Sequence, residues 1–343
     1  MKKKIAVLFG GQSTEHEVSR VSAASVLKNI NQSKYDIYPI GITKDGKWFE
    51  YTGSIDKIEN GEWEQDEYYK TPDGHKFLFN KEVDVVFPVL HGLYGEDGTI
   101  QGMCKLLNLP CVGPGVMSSA VCMDKIYTKY LLEKFGIKQA EYIIVNAYEY
   151  KQDKEEIINK VENALPYPMF IKPSNSGSSV GITKAHNKEE LKIGLSEALK
   201  YDRKVLIERG INAREVEVAV LGNDYPKAAV PGEIVPAKEF YDYEAKYQNE
   251  ASKLLIPAAL SNEKLEQIKE TAIKVYKILD CAGMARVDFL VDKDSEEVYL
   301  NEVNTIPGFT KISMYPKMWQ ASGKAYSDLI DELIELAEER NNK

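Results

Sequence analysis

The chain is 343 residues long, 43% hydrophobic and 28% charged, with a formal net charge of −9 at pH 7. That length accommodates two or three domains with sizeable cores, and the composition is that of an ordinary globular protein. The acidic balance argues against a general nucleic-acid surface, which would be basic, and no stretch reaches the roughly 18 apolar residues a membrane span needs.

Lys2 to Lys4 followed by Ile5 to Phe9 superficially looks like a secretory leader. The apolar run is shorter than the usual core of about 7 to 15 residues and no small-residue cleavage site follows, so it reads as a buried parallel strand. Directly behind it stands "GGQSTEHEVS". Gly10 and Gly11 are adjacent, which is not the G-x-G-x-x-G frame of a dinucleotide site. Thr14 and Glu17 have the spacing of a capping box ahead of Val18, Val21, Ala24 and Leu27 at helical intervals, so a helix is expected to start here. Glu15 then places a carboxylate in the first turn, where an ammonium group suits it better than a phosphate.

Strands are expected at Tyr35–Ile42 and Val83–Leu90 and a helix after Thr99, completing an open parallel α/β domain over residues 1–113. The stretch from Glu50 to Asn80, rich in charge, Tyr and Gly, reads as a peripheral insertion. "VLHGLYGEDGT" puts His91 at the C-terminal end of a strand; a lone histidine is usually structural, but such strand ends are where ligands of these sheets sit. The pair Glu96-Asp97 is expected to cap the following helix rather than bind metal. Cys104, Cys111, Cys122 and Cys281 form neither a C-x-x-C pair nor a zinc-ligand spacing, which fits reduced packing residues in a cytoplasmic protein.

A second segment, 114–208, holds a helix from Asp124 to Phe135 with Lys125 at its start, then "IKPSNSGSSVG". Lys172 sits at a strand end before a Ser/Gly loop of the sort that wraps phosphates with backbone N–H groups and hydroxyls. It is not a Walker A sequence, and by itself a flexible linker fits it equally well. The third segment, 209–343, is expected to be α+β. At its border "LIERGINAREVEV" sets Glu208 at a strand end and Glu215 seven residues later, carboxylates able to accept from an adenine amine and a ribose hydroxyl, though by themselves they read equally as ordinary charged residues. The polar, Tyr-rich "EFYDYEAKYQN" suits a lid or an exposed loop.

In "ARVDFLVDKDSEEVYLNEVN" the period of two puts Arg286 and Asp288 on one face, and Glu302 and Asn304 on one face after the turn. A hairpin would gather Asp288, Glu302 and Asn304 as hard oxygen ligands for Mg²⁺, the alternative being a solvated hairpin with surface ion pairs. In "NTIPGFTKISM", Gly308 lets backbone approach a ligand closely and Ser313 offers a hydroxyl to a carboxylate. A helix from Tyr326 to Glu339 closes the chain.

The series "GGQSTEHEVS", "HGLYGEDGTIQG", "MDK", "IKPSNSGSSVG", "FYDYEAKY", "ARVDF" and "NEVNTIPGFT" resembles the D-alanine–D-alanine ligases of the ATP-grasp superfamily over essentially the whole chain. The resemblance implies an ATP-grasp fold with an N-terminal open parallel α/β domain, and ATP held between two α+β lobes. It implies phosphorylation of one D-alanine carboxylate, then attack on that carbonyl by the amine of a second. Glu15 would bind the first ammonium, grouped with Ser178 and Tyr247, and His91 would lie near the reacting carboxylate. Lys125 and Lys172 would take ATP phosphates, Glu208 and the backbone to Ile211 adenine, and Glu215 the ribose. Two Mg²⁺ or Mn²⁺ ions would sit on Asp288, Glu302 and Asn304. Arg286 and the Gly308 N–H would form an oxyanion site, and Lys246 and Ser313 would hold the second carboxylate. Tyr247 favours D-alanine over D-lactate as the second substrate; D-serine turns on pocket volume near Met314. Homodimers are common among such ligases.

Overall fold

The computed structural model describes residues 2–66, 69–70, 75–80, 82–177, 179–235 and 253–341. Among these, three sheets organise the chain. The first runs β4-β3-β2-β1-β5, with β1 at Lys3–Gly10, β2 at Tyr35–Ile42, β3 at Trp48–Tyr51, β4 at Tyr69–Lys70 and β5 at Val85–Pro88. β1 is parallel to β2 and β5, and Ile5 to Gly10 are all buried because a central parallel strand is covered on both faces. The far edge is antiparallel, made by β3 and β4 from the stretch read as a peripheral insertion. That reading is corrected: Trp63 is fully buried, its ring edge-on to Phe9 at 4.9 Å, because an indole that large stabilises the core it fills.

The second sheet is antiparallel, ordered β6-β9-β7-β8, with β6 at Tyr142–Asn146, β7 at Met169–Pro173, β8 at Thr183–Ala185 and β9 at Lys204–Arg209. Helices Lys154–Ala164 and Lys188–Ala198 cover one face, packing Ile158, Val161, Leu191 and Leu195 onto Val145, Ile171, Val205 and Ile207.

The third sheet follows the path β13-β12-β10-β14-β15, with β11 paired to β10. Here β10 spans Ala213–Leu221, β11 Lys227–Ala228, β12 Gly232–Val235, β13 Lys253–Leu255, β14 Met284–Asp292 and β15 Val298–Asn304. Alternate residues Val216, Val218, Val220, Val287 and Phe289 pack with Leu265, Ile268, Ala272 and Val275 of the helix Asn262–Ile278. The period of two therefore turns Glu215, Glu217, Arg286 and Asp288 to the opposite face. That face meets the second sheet, where Lys172 Nζ stands 3.4 Å from Asn301 Oδ1, and the segment before β6 joins β15 through the Leu300 N–H, which donates to the Lys138 carbonyl at 2.9 Å. The closing helix, Tyr326–Asn341, returns to the first sheet: Leu329, Ile330, Leu333 and Ile334 share one core with Ile5, Val7 and Phe87.

Candidate active site

The glycine pair behind β1 spends its N–H groups inside the fold. Gly10 N–H donates to Ser19 Oγ at 2.8 Å and Gly11 N–H to the Ile42 carbonyl at 2.7 Å, so neither faces an anion. Both glycines have positive φ, 86° and 96°, and a β-carbon at Gly10 would stand 2.2 Å from the Ile42 oxygen. The tight turn delivers Glu15 to the N-cap position of the helix His16–Asn29. The expected Thr14–Glu17 capping box does not form. Ser13 Oγ instead accepts the Glu15 N–H at 3.0 Å, and Glu17 is drawn away by Lys44, a competing charge the local spacing does not reveal.

Glu15 is 5% exposed and wedged between two loops. A β-carbon on Gly92 or on Gly177 would fall 2.4 or 2.3 Å from its Oε2, so the Ser/Gly loop after β7 touches the turn after β1 through Glu15. His91 lies beside this corner, buried. Its Nδ1–H donates to the Ile306 carbonyl at 2.9 Å, which leaves Nε2 to accept from Ser22 Oγ at 2.9 Å. Burial holds His91 down to about 4, so the ring is neutral at pH 7. Glu96 does not cap the next helix. Its oxygens accept the N–H groups of Gly92 and Ile306, both at 2.9 Å, while Asp97 alone accepts the Thr99 N–H at 3.0 Å. Burial, reinforced by Glu15, pushes Glu96 up to about 8.

On the second sheet, Lys172 of β7 and Glu208 of β9 are ion-paired at 2.6 Å. The other Glu208 oxygen is 2.6 Å from Lys129, a lysine only 2% exposed. Burial alone would raise the Glu208 carboxyl; Lys129 and Lys172 overcome it and hold it at about 2. Lys125 opens the helix Lys125–Lys134 and its Nζ donates to the Ser176 carbonyl at 2.6 Å. Asp124 caps that helix by accepting from Ile126 N–H, and also accepts from Ser174 Oγ at 2.5 Å and Asn175 Nδ2 at 3.1 Å, with Lys204 paired to it. One carboxylate thus ties the Ser/Gly loop to the lysine-bearing helix.

The third sheet forms the expected hairpin. Arg286 stands opposite Asn304 and Asp288 opposite Glu302, and a bulge after Asp288 leaves Asn301 unopposed, lining the same cavity as Glu302, Glu215 and Glu217. Arg286 grips Asp288 with Nε at 2.8 Å and Nη2 at 2.6 Å, and Asn304 Nδ2 donates to Asp288 at 2.8 Å. Carboxylate and amide oxygens of this kind suit Mg²⁺ or Mn²⁺, although among the described residues no three His, Cys, Asp or Glu gather in one metal-holding group. Ser313 Oγ accepts the Thr310 N–H at 3.0 Å, Gly308 faces that hydroxyl, and Met314 is buried. Ile211 lies between β9 and β10. Ser178, Lys246 and Tyr247 lie outside the described residues, as does the stretch Glu239 to Asn249.

Sequence reasoning missed Lys129, Glu217 and Asn301. Lys129 left a trace: it falls between Ile126 and Leu132 on the apolar side of its helix, where an unpaired charge would be costly.

Two antiparallel sheets, with Lys172 of one facing the carboxylate hairpin of the other and Lys129 of the adjoining helix buried behind it, define an ATP-grasp protein. Residues 4–114 match the family model described as the N-terminus of D-ala D-ala ligase, and residues 131–335 the model described as its C-terminus. The chain is 77% identical to the D-alanine–D-alanine ligases of Clostridium novyi (strain NT) and Clostridium acetobutylicum, with 100% of each chain covered in both comparisons. Among solved structures, the VanG D-Ala:D-Ser ligase from Enterococcus faecalis has a TM-score of 0.89 at 42% identity, over 98% of this chain and 100% of that one. The D-alanine–D-alanine ligase from Coxiella burnetii has a TM-score of 0.82 at 35% identity, over 99% and 96%. The chain belongs to the D-alanine–D-alanine ligase family.

Proposed function

We propose that the protein joins two D-alanines into D-alanyl-D-alanine for peptidoglycan precursors, converting ATP to ADP and phosphate. The observation that carries this reading is the 77% identity, over the full chain, to ligases named for that product. A carboxylate oxygen is a poor leaving group until it is phosphorylated. The first D-alanine carboxylate therefore attacks the γ-phosphate of ATP, and the second D-alanine's amine attacks the resulting acyl phosphate. Such transfers depend on positioning and charge neutralisation more than on protein nucleophiles.

Glu15 binds the first ammonium, grouped with Ser178 and Tyr247; its contact with the Gly177 loop supports coupling of substrate and phosphate sites. His91, neutral and doubly hydrogen-bonded, keeps a fixed place near the reacting carboxylate. Lys125 and Lys172 take phosphates, Glu208 with the backbone to Ile211 takes adenine, and Glu215 the ribose. Asp288, Glu302 and Asn304 would hold the Mg²⁺ or Mn²⁺ ions, which would supply neutralisation of phosphate charge. Arg286 and the Gly308 N–H stabilise the tetrahedral oxyanion. Lys246 and Ser313 hold the second carboxylate, with Met314 bounding the pocket. Segments 1–113, 114–208 and 209–343 act as substrate domain and two ATP-grasp lobes. The enzyme works as a cytoplasmic homodimer; among the described residues no helix is long and apolar enough to cross a membrane.

The likeness to VanG favours D-serine as the second reading for the second substrate. The test is ATP-dependent phosphate release with D-alanine, alone and with equimolar D-serine or D-lactate, products identified by mass. D-Alanyl-D-alanine should dominate every mixture. A dominant mixed product would replace the assignment of the second substrate, and no ATP-dependent product would end the ligase reading.

A further inference from the structure

Arg286 is held by more than one carboxylate. Its Nε lies 2.8 Å from Asp288 Oδ1 and 3.1 Å from Glu217 Oε2. Glu217 comes from β10, directly opposite Asp288 in the register of β10 with β14. Both carboxylates are 7% exposed, and on the same face of β10 Glu217 stands between Glu215, on the side of the cavity, and the buried apolar Ala219 and Leu221. A buried charge persists only with a partner, and Arg286 is that partner for Glu217.

The reason for a second anchor lies in the demands on Asp288. Both its oxygens are engaged by Arg286, and Oδ2 also by Asn304. On the functional reading above, on which this inference rests, a divalent ion takes Asp288 and competes with Arg286 for the same oxygens. Glu217 is within reach of Nε and is not among the assigned metal ligands. We propose that Glu217 is a positioning residue for Arg286: when metal engages Asp288, Glu217 retains the Nε side of the guanidinium and leaves its outer nitrogens aimed at the developing oxyanion.

The test is a double-mutant cycle with Glu217→Gln, Arg286→Ala and the double variant, in the full chain. Glu217→Gln keeps size and hydrogen-bonding capacity but removes the charge. Its kcat should fall on the order of tenfold or more, with KM for ATP changed less than about threefold, and the double variant should be no slower than Arg286→Ala alone. Mn²⁺ binding in the presence of ADP, read by electron paramagnetic resonance without turnover, should keep its wild-type stoichiometry in Glu217→Gln. Additive losses in the cycle, or wild-type kcat in Glu217→Gln, would overturn the proposal, as would loss of a Mn²⁺ equivalent, which would make Glu217 a ligand. Should Glu217→Gln fail to fold, Glu217→Asp takes its place in the cycle with the same criteria. Absence of ATP-dependent D-alanine ligation in the unaltered protein would instead sink the underlying functional reading.

Discussion

At the scale of single residues the candidate site is a set of largely buried ionisable groups, of which Arg286 is ion-paired with Asp288 and Glu217, and Glu208 with Lys129 and Lys172, while Glu15 and Glu96 crowd together. Arg286 is enclosed by Asp288 and Glu217 and its guanidinium is held firmly protonated by them against the effect of burial. Replacing it by alanine should lower kcat by about 10²- to 10³-fold, some 2.7–4 kcal/mol of transition-state stabilisation, while ATP affinity measured by calorimetry changes little. A parallel collapse of ATP binding would contradict the oxyanion role. His91 yields a pH signature. Its folded value, about 4, lies below the ordinary 6.5, so the unfolded chain takes up the proton first. Its contribution is complete above pH 6.5 and is lost as pH falls toward 4, at about 1.4 kcal/mol per pH unit. Glu96, pushed up to about 8, contributes the opposite slope over this range, so the signature is a difference. Between pH 7 and 5 wild-type stability in urea should change with pH by up to about 1.4 kcal/mol per unit more in the His91 direction than that of His91→Gln, and equal slopes would contradict a neutral buried ring. Glu15, Asp288 and Glu302 were legible in the sequence because alternation and a helix start place them locally. Lys129 and Glu217 were not, since their partners come from distant strands whose register no local pattern reveals.

At the scale of elements, the hairpin β14–β15 and the helix that opens at Lys125 carry the candidate site. Asp124 holds three things together: the N-terminus of the helix Lys125–Lys134, the Ser174-Asn175 end of the Ser/Gly loop, and Lys204. Asp124→Ala should cost at least about 1–2 kcal/mol of unfolding free energy for the lost cap, and should raise KM for ATP more than KM for D-alanine. An unchanged KM for ATP would show that the loop is positioned some other way. The strand Tyr35–Ile42 appears with the bounds its alternation indicates. The helix after Gly11 also appears, but its first turn departs from the capping box because Lys44 claims Glu17. The misjudged stretch was Glu50–Asn80, where a mostly polar sequence hides Tyr51, Ile58 and Trp63, all fully buried in the core beside Phe9.

At the scale of the molecule, the C-terminal helix closes the structure onto its beginning. Lys34 pairs with Asp331 at 2.5 Å, and Arg340 donates to the carbonyls of Cys111 and Gly113 at 2.9 and 2.5 Å. Removing residues from 326 onward would uncover Leu329, Ile330, Leu333 and Ile334 from the first sheet's core. Burial of four such side chains contributes several kcal/mol at about 1.5–3 kcal/mol each, so the truncated chain should aggregate or melt far below the full one in calorimetry. An unshifted melting temperature would contradict the shared core. Such long-range closure is invisible to a local reading, which sees only an amphipathic helix. The whole arrangement brings the turn after β1, the Ser/Gly loop and the metal-suited hairpin to one place, as an acyl phosphate reaction requires.

The most direct test follows the oxygen atoms. With D-alanine labelled by oxygen-18 in its carboxylate, and with ATP and Mg²⁺, the expected result is one labelled oxygen in the released phosphate and none in ADP, alongside D-alanyl-D-alanine. Dipeptide formed with unlabelled phosphate would contradict activation of the carboxylate by phosphoryl transfer.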